Sequence, residues 1–424
     1  MVGSMPQAIE SFLQELKGRG VFTWEAELSE EEQAFPATFA EEREYTSVEA
    51  ESWEPLKVES GSEVVFRAFL DGVQRTMMLP YRVVLPNGAQ VPLHIAHIAA
   101  GVFLRDESGR LYMEPDLVAA RLLLLGPFQG MQEAGITFES FKSEAIIWDT
   151  SDQTFAFPDK PNEWIVCDTT FRGTDKERSQ RREGALLGDE LFKEGSIRSR
   201  AQGRVATLRQ RLEFAVLAKF RSKHRDTFIL VDGPLFFLDK WRGRAAPVFG
   251  RLLGESREGL EDALLKNAVG LIKTHRLRPR HPEQVLRIGP GQRSPAVRIS
   301  EEVDVKGRRG ELDEEGSYGG AHLTWYTRLL FPQEDSSSYG LRGLIRLDVH
   351  RTTFGIESAD ALKPETFRPY KPTVDGITQG VWRERWPAVD RVGEIYPIEQ
   401  LEKVLKARLY PRRLLHHVFN IPRP

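Results

Sequence analysis

Two aspartates close apolar runs, and each is followed by glycine: Asp71 in "FRAFLDGVQRT" (66–76) and Asp232 in "FILVDGPLF" (228–236). A carboxylate carried at the end of a buried strand is held rigidly while its oxygens reach a cleft. Hard oxygen donors converging from separate elements are what a Mg2+ or Mn2+ ion takes as ligands, and such an ion can promote phosphodiester hydrolysis. Asp-Gly is also a favoured turn dipeptide, so each pair taken singly is more often a tight bend than half of a metal site. Glu213 in "RLEFAV" is a third candidate, one residue past Leu212 at the margin of an apolar helical stripe. The plain alternative is a surface glutamate paired with Arg209 or Lys219.

Other groups are weaker candidates. Asp348 and His350 fall two apart in "LIRLDVHR", on one face of a strand, where a cross-strand salt bridge is the simpler expectation. Lys273 and His275 share a face in "GLIKTHRLRPR", with Arg276, Arg278 and Arg280 following. A lysine ending an apolar strand could meet a phosphate as a point charge, or be an ordinary edge residue. Walker A, H-E-x-x-H and G-x-S-x-G patterns are absent. Cys167 is the only cysteine, which rules out an intramolecular disulfide and a cysteine-rich zinc site and fits a reducing cytoplasm.

The elements that must position these residues follow from periodicity. "PQAIESFLQELKGRG" predicts a short amphipathic helix, and residues 25–60 are Glu-rich and weakly patterned. Strands are predicted in "EVVFRAFLDG", "RTMMLPYRVVLP", "HIAAGVFLRD" and "RLYME", with a hairpin at "LPNGAQV". "EPDLVAARLLLLG" is expected to be helical and to open a helical insertion over about 114–222. The clearest helix is 203–223, where Val205, Leu208, Leu212, Ala215 and Val216 recur at helical spacing and lead directly into the strand that ends at Asp232. "LEDALLKNAVGLIKTH" predicts helix then strand, "HLTWYTRLLF", "LRGLIRLDVHR" and "TFGIE" predict late strands, and helices close the chain at about 397–420. The expected class is α/β with a mixed sheet.

With 424 residues, 40% hydrophobic and 29% charged, the chain can bury a large core. No apolar run of about 18 residues is present, so no membrane span is expected, and no signal-peptide pattern opens the chain. The net charge of −3 conceals a polarity: residues 1–60 hold fourteen Glu against four Lys or Arg, leaving the remainder at +7. Residues 271–310 hold ten basic against four acidic residues, and the last 24 hold six against one. The plain reading of this separation is a solvated acidic arm on an ordinary protein; separated charge of this kind bears on partner choice more than the overall balance does.

Taken in order, "FLDGVQRT", "RLEFAV", "ILVDGPLF", "VGLIKTH" and "EIYPIEQL" resemble the motifs of the NurA nuclease family over roughly residues 61–407. The resemblance implies an RNase H-like core in a nuclease domain spanning 61–424; the helical insertion between the first two motifs and the acidic N-terminal extension (1–60) lie outside it. It implies manganese-dependent (or magnesium-dependent) endonuclease and exonuclease activity on single-stranded DNA and DNA ends. It further implies a homodimer working with HerA, a hexameric DNA-translocating ATPase, in DNA repair or phage defence. By position, Asp71, Glu213 and Asp232 would be the catalytic metal ligands; the nucleic-acid contacts expected beside them, not carried over by position, are Lys273, His275, Arg276, Arg278 and Arg75. Family members carry a further metal-ligating histidine in the helix after Tyr-Pro. Here that helix is "IEQLEKVLKARL", and the nearest histidines are His416 and His417. Either of these, or a different ligand, would complete the site. The departure keeps open a second reading, a catalytically weak DNA-end-binding scaffold for the translocase. An RNase H-like enzyme acting on RNA is a more distant third.

Overall fold

The computed structural model describes residues 11–22, 41–59, 61, 64–139, 146–149, 164–170, 194–235, 246–256, 259–273, 277–299, 322–329, 341–357, 364–386 and 394–410, with gaps of one or two residues inside 11–22, 41–59 and 277–299. A long antiparallel hairpin organises the sheet: β1 (Ala68–Val84) pairs with β2 (Gln90–Arg105) across the predicted Asn-Gly turn, where Gly88 has φ of 82°. Asparagine-glycine supplies that left-handed conformation at little steric cost. The two strands expected on either side of Gln74 are one continuous strand. Its pairing register shifts between Met78 and Arg82, bracketing Pro80, which has no N–H to give the ladder.

The helix expected from "EPDLVAARLLLLG" is instead strand β3 (Leu111–Gly126), antiparallel to β2. The apolar run misled because four consecutive leucines fit a buried helix or a two-sided buried strand equally. Pairing decides it: β3 is covered by β2 on one edge and by parallel β5 (Trp164–Asp168) on the other, and β4 (Ile146–Asp149) continues parallel to β5. Pro115 falls where the β2–β3 register shifts, between the pairs Phe103–Met113 and Gly101–Val118. Among the described residues, the helices of the predicted insertion are a short one at Phe128–Glu133 and the long α1 (Glu194–Lys223), whose predicted stripe is buried.

The chain then crosses to β6 (Ile229–Asp232), parallel to β1, and passes through α2 (Ala246–Leu253) and α3 (Leu260–Leu265) to β7 (Ala268–Ile272), parallel to β6. Strands β8 (His322–Arg328) and β9 (Leu344–His350) extend the sheet antiparallel, in the order β8-β9-β7-β6-β1-β2-β3-β5-β4 within a 14-stranded mixed sheet. "TFGIE" is not a strand. Residues Arg351–Phe354 form a 3-10 turn that ends at Gly355 with φ of 70°. Helices α4 (Lys371–Arg383) and α5 (Tyr396–Arg408) follow, and the rest of the helical tail expected to residue 420 lies outside the described residues.

Strand alternation divides the core. Ala68, Leu70, Ala100 and Val102 face α1, α2 and α3, whereas Phe69, Val73, Ala99 and Phe103 face α4 and α5. Parts of the acidic N-terminal region join the sheet: 45–47 pairs with 297–299, 56–57 with 292–293, and 20–22 with Tyr81–Val83. Among the described residues no helix is long and apolar enough to cross a membrane.

Candidate active site

Neither Asp-Gly pair makes a hairpin turn. Asp71 and Gly72 lie inside β1, opposite Gly101 and Ala100 of β2. Asp232 ends β6, and Gly233 leaves the strand at φ of 118°, a conformation glycine supplies without Cβ strain. Parallel register places Ile229 beside Ala68 and Val231 beside Leu70, so Asp232 and Asp71 are the next step on neighbouring strands. By alternation Asp71 shares the face of Phe69 and Val73, Asp232 that of Leu230, and Lys273 that of Val269 and Leu271, all on the α4–α5 side. Here β6 stops while β1 runs on. Among the described residues, the β1 edge from Asp71 to Pro80 has no strand beside it on the β6 side. Carboxyl ends of parallel strands where a sheet parts are where α/β proteins bind ligands.

Glu213 approaches this edge from the other face. On α1 it is only 7% exposed, and its Oε1 crowds the space that a Cβ on Gly72 would need. Gly72 is thus the opening through which the carboxylate reaches β1. Of the two partners expected for a surface glutamate, Arg209 is the one engaged, at i,i+4, whereas Lys219 lies 4.0 Å from Asp116. Arg209 also donates Nη1–H to the Gly72 carbonyl at 3.0 Å and Nε–H to Gln74 Oε1 at 3.2 Å, filling the open edge. Glu213 is therefore both buried and paired.

On the aspartate face, Lys273 Nζ lies 3.6 Å from Asp232 and 3.3 Å from Glu394, which stands two residues before Tyr396. Neither periodicity nor motif singled out Glu394, because it reaches Lys273 only when α5 docks across β1. Asp71, 4% exposed, accepts the Gly72 N–H at 2.7 Å. Burial, then repulsion from Asp232 and Glu213, raises its carboxyl well above the ordinary range, against the pull of Arg209 and Lys273. Burial likewise raises Glu213 to about 7 despite Arg209. Lys273 is held more basic than usual, because Asp232, Glu394 and Asp71 together outweigh its own burial.

These shifts carry a sign. A carboxyl whose folded pKa is raised stabilises the fold below its unfolded pKa, and that stabilisation is lost as pH rises through the folded value. For Glu213 the window runs from 4.5 to about 7. Glu213→Gln should remove that loss, gaining on the order of 3 kcal/mol relative to wild type above pH 7 and little below pH 4. Urea unfolding at both pH values, without divalent ions, checks it. Gly72→Ala tests the opening: the added methyl evicts Glu213 and should cost about 1–3 kcal/mol of stability, whereas Ala100→Gly, its cross-strand neighbour, restores no room.

The remaining candidates fall elsewhere. Asp348 is fully buried and bonded along its own strand to Arg346, at 3.1 Å through both oxygens, and accepts the Thr324 hydroxyl at 2.7 Å. The expected cross-strand salt bridge is thus an in-strand one. His350 lies 3.7 Å from Glu261. Arg75 donates to the Tyr410 carbonyl at 2.6 Å, while His97 Nδ1 accepts the Tyr410 N–H at 2.9 Å, so both clasp the end of α5. His275, Arg276, His416 and His417 lie outside the described residues, as does the Arg278 side chain.

The donor set suits a hard divalent cation: carboxylate oxygens from three separate elements, Asp71 and Glu213 buried and Asp232 half-buried, that repel one another. It is a match of chemistry and charge rather than of a closed shell. Among the described residues no group of three or more His, Cys, Asp or Glu side chains is gathered closely enough to hold a metal ion. Comparison with known proteins adds no relative: no family model matches the chain, and no curated protein matches it.

Proposed function

We propose that this chain is a NurA-type, metal-dependent deoxyribonuclease with an RNase H-like core. It would cut single-stranded DNA and DNA ends as a homodimer beside a HerA-type hexameric ATPase. The observation that carries this reading is the placement of Asp71 and Asp232 at the same register level, one step past the Val231–Leu70 pair on adjacent parallel strands, at the parted edge of the sheet. Asp71, Asp232 and Glu213 would hold manganese or magnesium, which when bound supplies Lewis-acid polarisation of the phosphodiester. The residues themselves do the positioning. The strands fix the aspartates, Gly72 admits Glu213, and Lys273 sets a positive charge within reach of an incoming phosphate. Asp71 and Glu213 are buried, so water screens them little and each acts more strongly than at a surface.

The scaffold reading also has an observation behind it: Glu213 is engaged by Arg209 across Gly72, and α5 contains no histidine. Cleavage of end-labelled single- and double-stranded DNA and of RNA in manganese, with and without the ATPase, separates the two. Manganese-dependent DNA cleavage supports the nuclease. Intact DNA with tight end binding supports the scaffold, and preferential RNA cleavage would overturn both.

A further inference from the structure

Arg209 has a place in this site beyond partnering Glu213. Its guanidinium is anchored on two sides: Nη1–H donates to Glu213 and to the Gly72 carbonyl, and Nε–H to Gln74 Oε1. Among the described residues Nη2 makes no hydrogen bond, and the side chain is 24% exposed. Three buried or half-buried contacts thus fix a planar cation with one edge turned outward. That is the preorganisation an arginine needs to meet a phosphate oxygen, since its fork matches oxyanions while its own orientation costs no further ordering.

Charge gives the reason for an exchange. Asp71, Asp232, Glu213 and Glu394 face Arg209 and Lys273, and when all are ionised the cluster keeps two negative charges. One divalent cation balances it. A cation that shares Glu213 weakens the hold of that carboxylate on Arg209, but the bonds to Gly72 and Gln74 lie on the strand and persist.

Resting on the proposed nuclease function, we propose that Arg209 is an exchangeable counter-ion. It neutralises Glu213 before the cation binds and then turns the same anchored guanidinium to a phosphate of the DNA. It acts on Glu213 in the first state and touches substrate in the second. Gln74 is its positioning residue.

Titration calorimetry with Mn2+ alone, and with a single-stranded oligonucleotide in Ca2+, tests this on wild type, Arg209→Gln, Arg209→Lys and Gln74→Leu. Arg209→Gln removes the competing charge and should bind Mn2+ about tenfold more tightly than wild type, while binding the oligonucleotide about tenfold more weakly. Arg209→Lys keeps the charge without the fork: Mn2+ affinity should stay near wild type and oligonucleotide affinity should fall. Gln74→Leu should weaken the oligonucleotide alone. Unchanged Mn2+ affinity in Arg209→Gln, or unchanged oligonucleotide affinity in both arginine variants, overturns the exchange. Arg209→Lys preserves the buried charge and keeps the test valid if Arg209→Gln does not fold. Wild type that binds no Mn2+ at all would instead sink the nuclease reading on which this rests.

Discussion

Asp71→Ala and Asp232→Ala should each lower manganese-dependent DNA cleavage by about a thousandfold, the scale on which removal of one preorganised charge-handling group acts. The two changes should not add. Residues that hold one ion act as a unit, so the double variant should be little slower than either single one. Asn variants sharpen the test. Asp71 is kept at a raised pKa by burial and by repulsion from Asp232 and Glu213, so its ionised form is a cost to the fold without a bound cation. Asp71→Asn should therefore unfold at the same or higher urea concentration than wild type at pH 8, while losing the same activity. Gain of stability with loss of function is the signature of a site kept strained for its task. An Asp71→Asn protein that loses stability at pH 8 would mean that Asp71 is a structural anchor instead. Wild-type cleavage rates in both aspartate variants would remove the proposed site.

Much of this site could be read from local pattern, and what could not was non-local. Asp71 and Asp232 announced themselves because an apolar run ending in a carboxylate is a conflict between burial and charge, visible in one dimension. The stripe of α1 was equally visible, and with it Glu213 at the margin. What spacing could not show is that the margin of that stripe lies over Gly72, on the opposite face from the aspartates. That depends on which face of β1 α1 covers. Glu394 was missed for a similar reason, since its neighbour in space, Lys273, is 121 residues away. The misassigned strand β3 shows the other limit. Leu122–Leu125 has no polar residue to reveal a period, and only pairing with β2 and β5 makes it a strand. The Asp348–Arg346 pair shows that even a correct strand assignment leaves partner choice open: both residues lie on one strand, two apart, so they share a face and need no neighbour to meet.

Arg293→Met should destabilise the protein by about 3–5 kcal/mol, the cost of leaving a buried charge without its partner. Arg293 is fully buried and holds two acids at once. Nη1 and Nη2 donate to Glu49 at 2.6 Å each, and Nε donates to Asp375 at 2.6 Å. Glu49 accepts further from the Ala296 N–H at 2.8 Å, and Asp375 from the Glu59 N–H at 3.3 Å. Truncating the arginine strands both carboxylates, whose escape to water requires the N-terminal edge to peel from the sheet. The expected result is a lower urea midpoint together with faster proteolysis within 45–59, where two short strands border 292–299. Replacing all three charges at once, Arg293→Met with Glu49→Leu and Asp375→Leu, should recover most of the lost stability, because an apolar set of similar volume carries no desolvation cost. Recovery would identify the network as a device that registers the acidic N-terminal region against α4. If the single variant unfolds at the wild-type midpoint, the Arg293 network contributes nothing net to the stability of the fold.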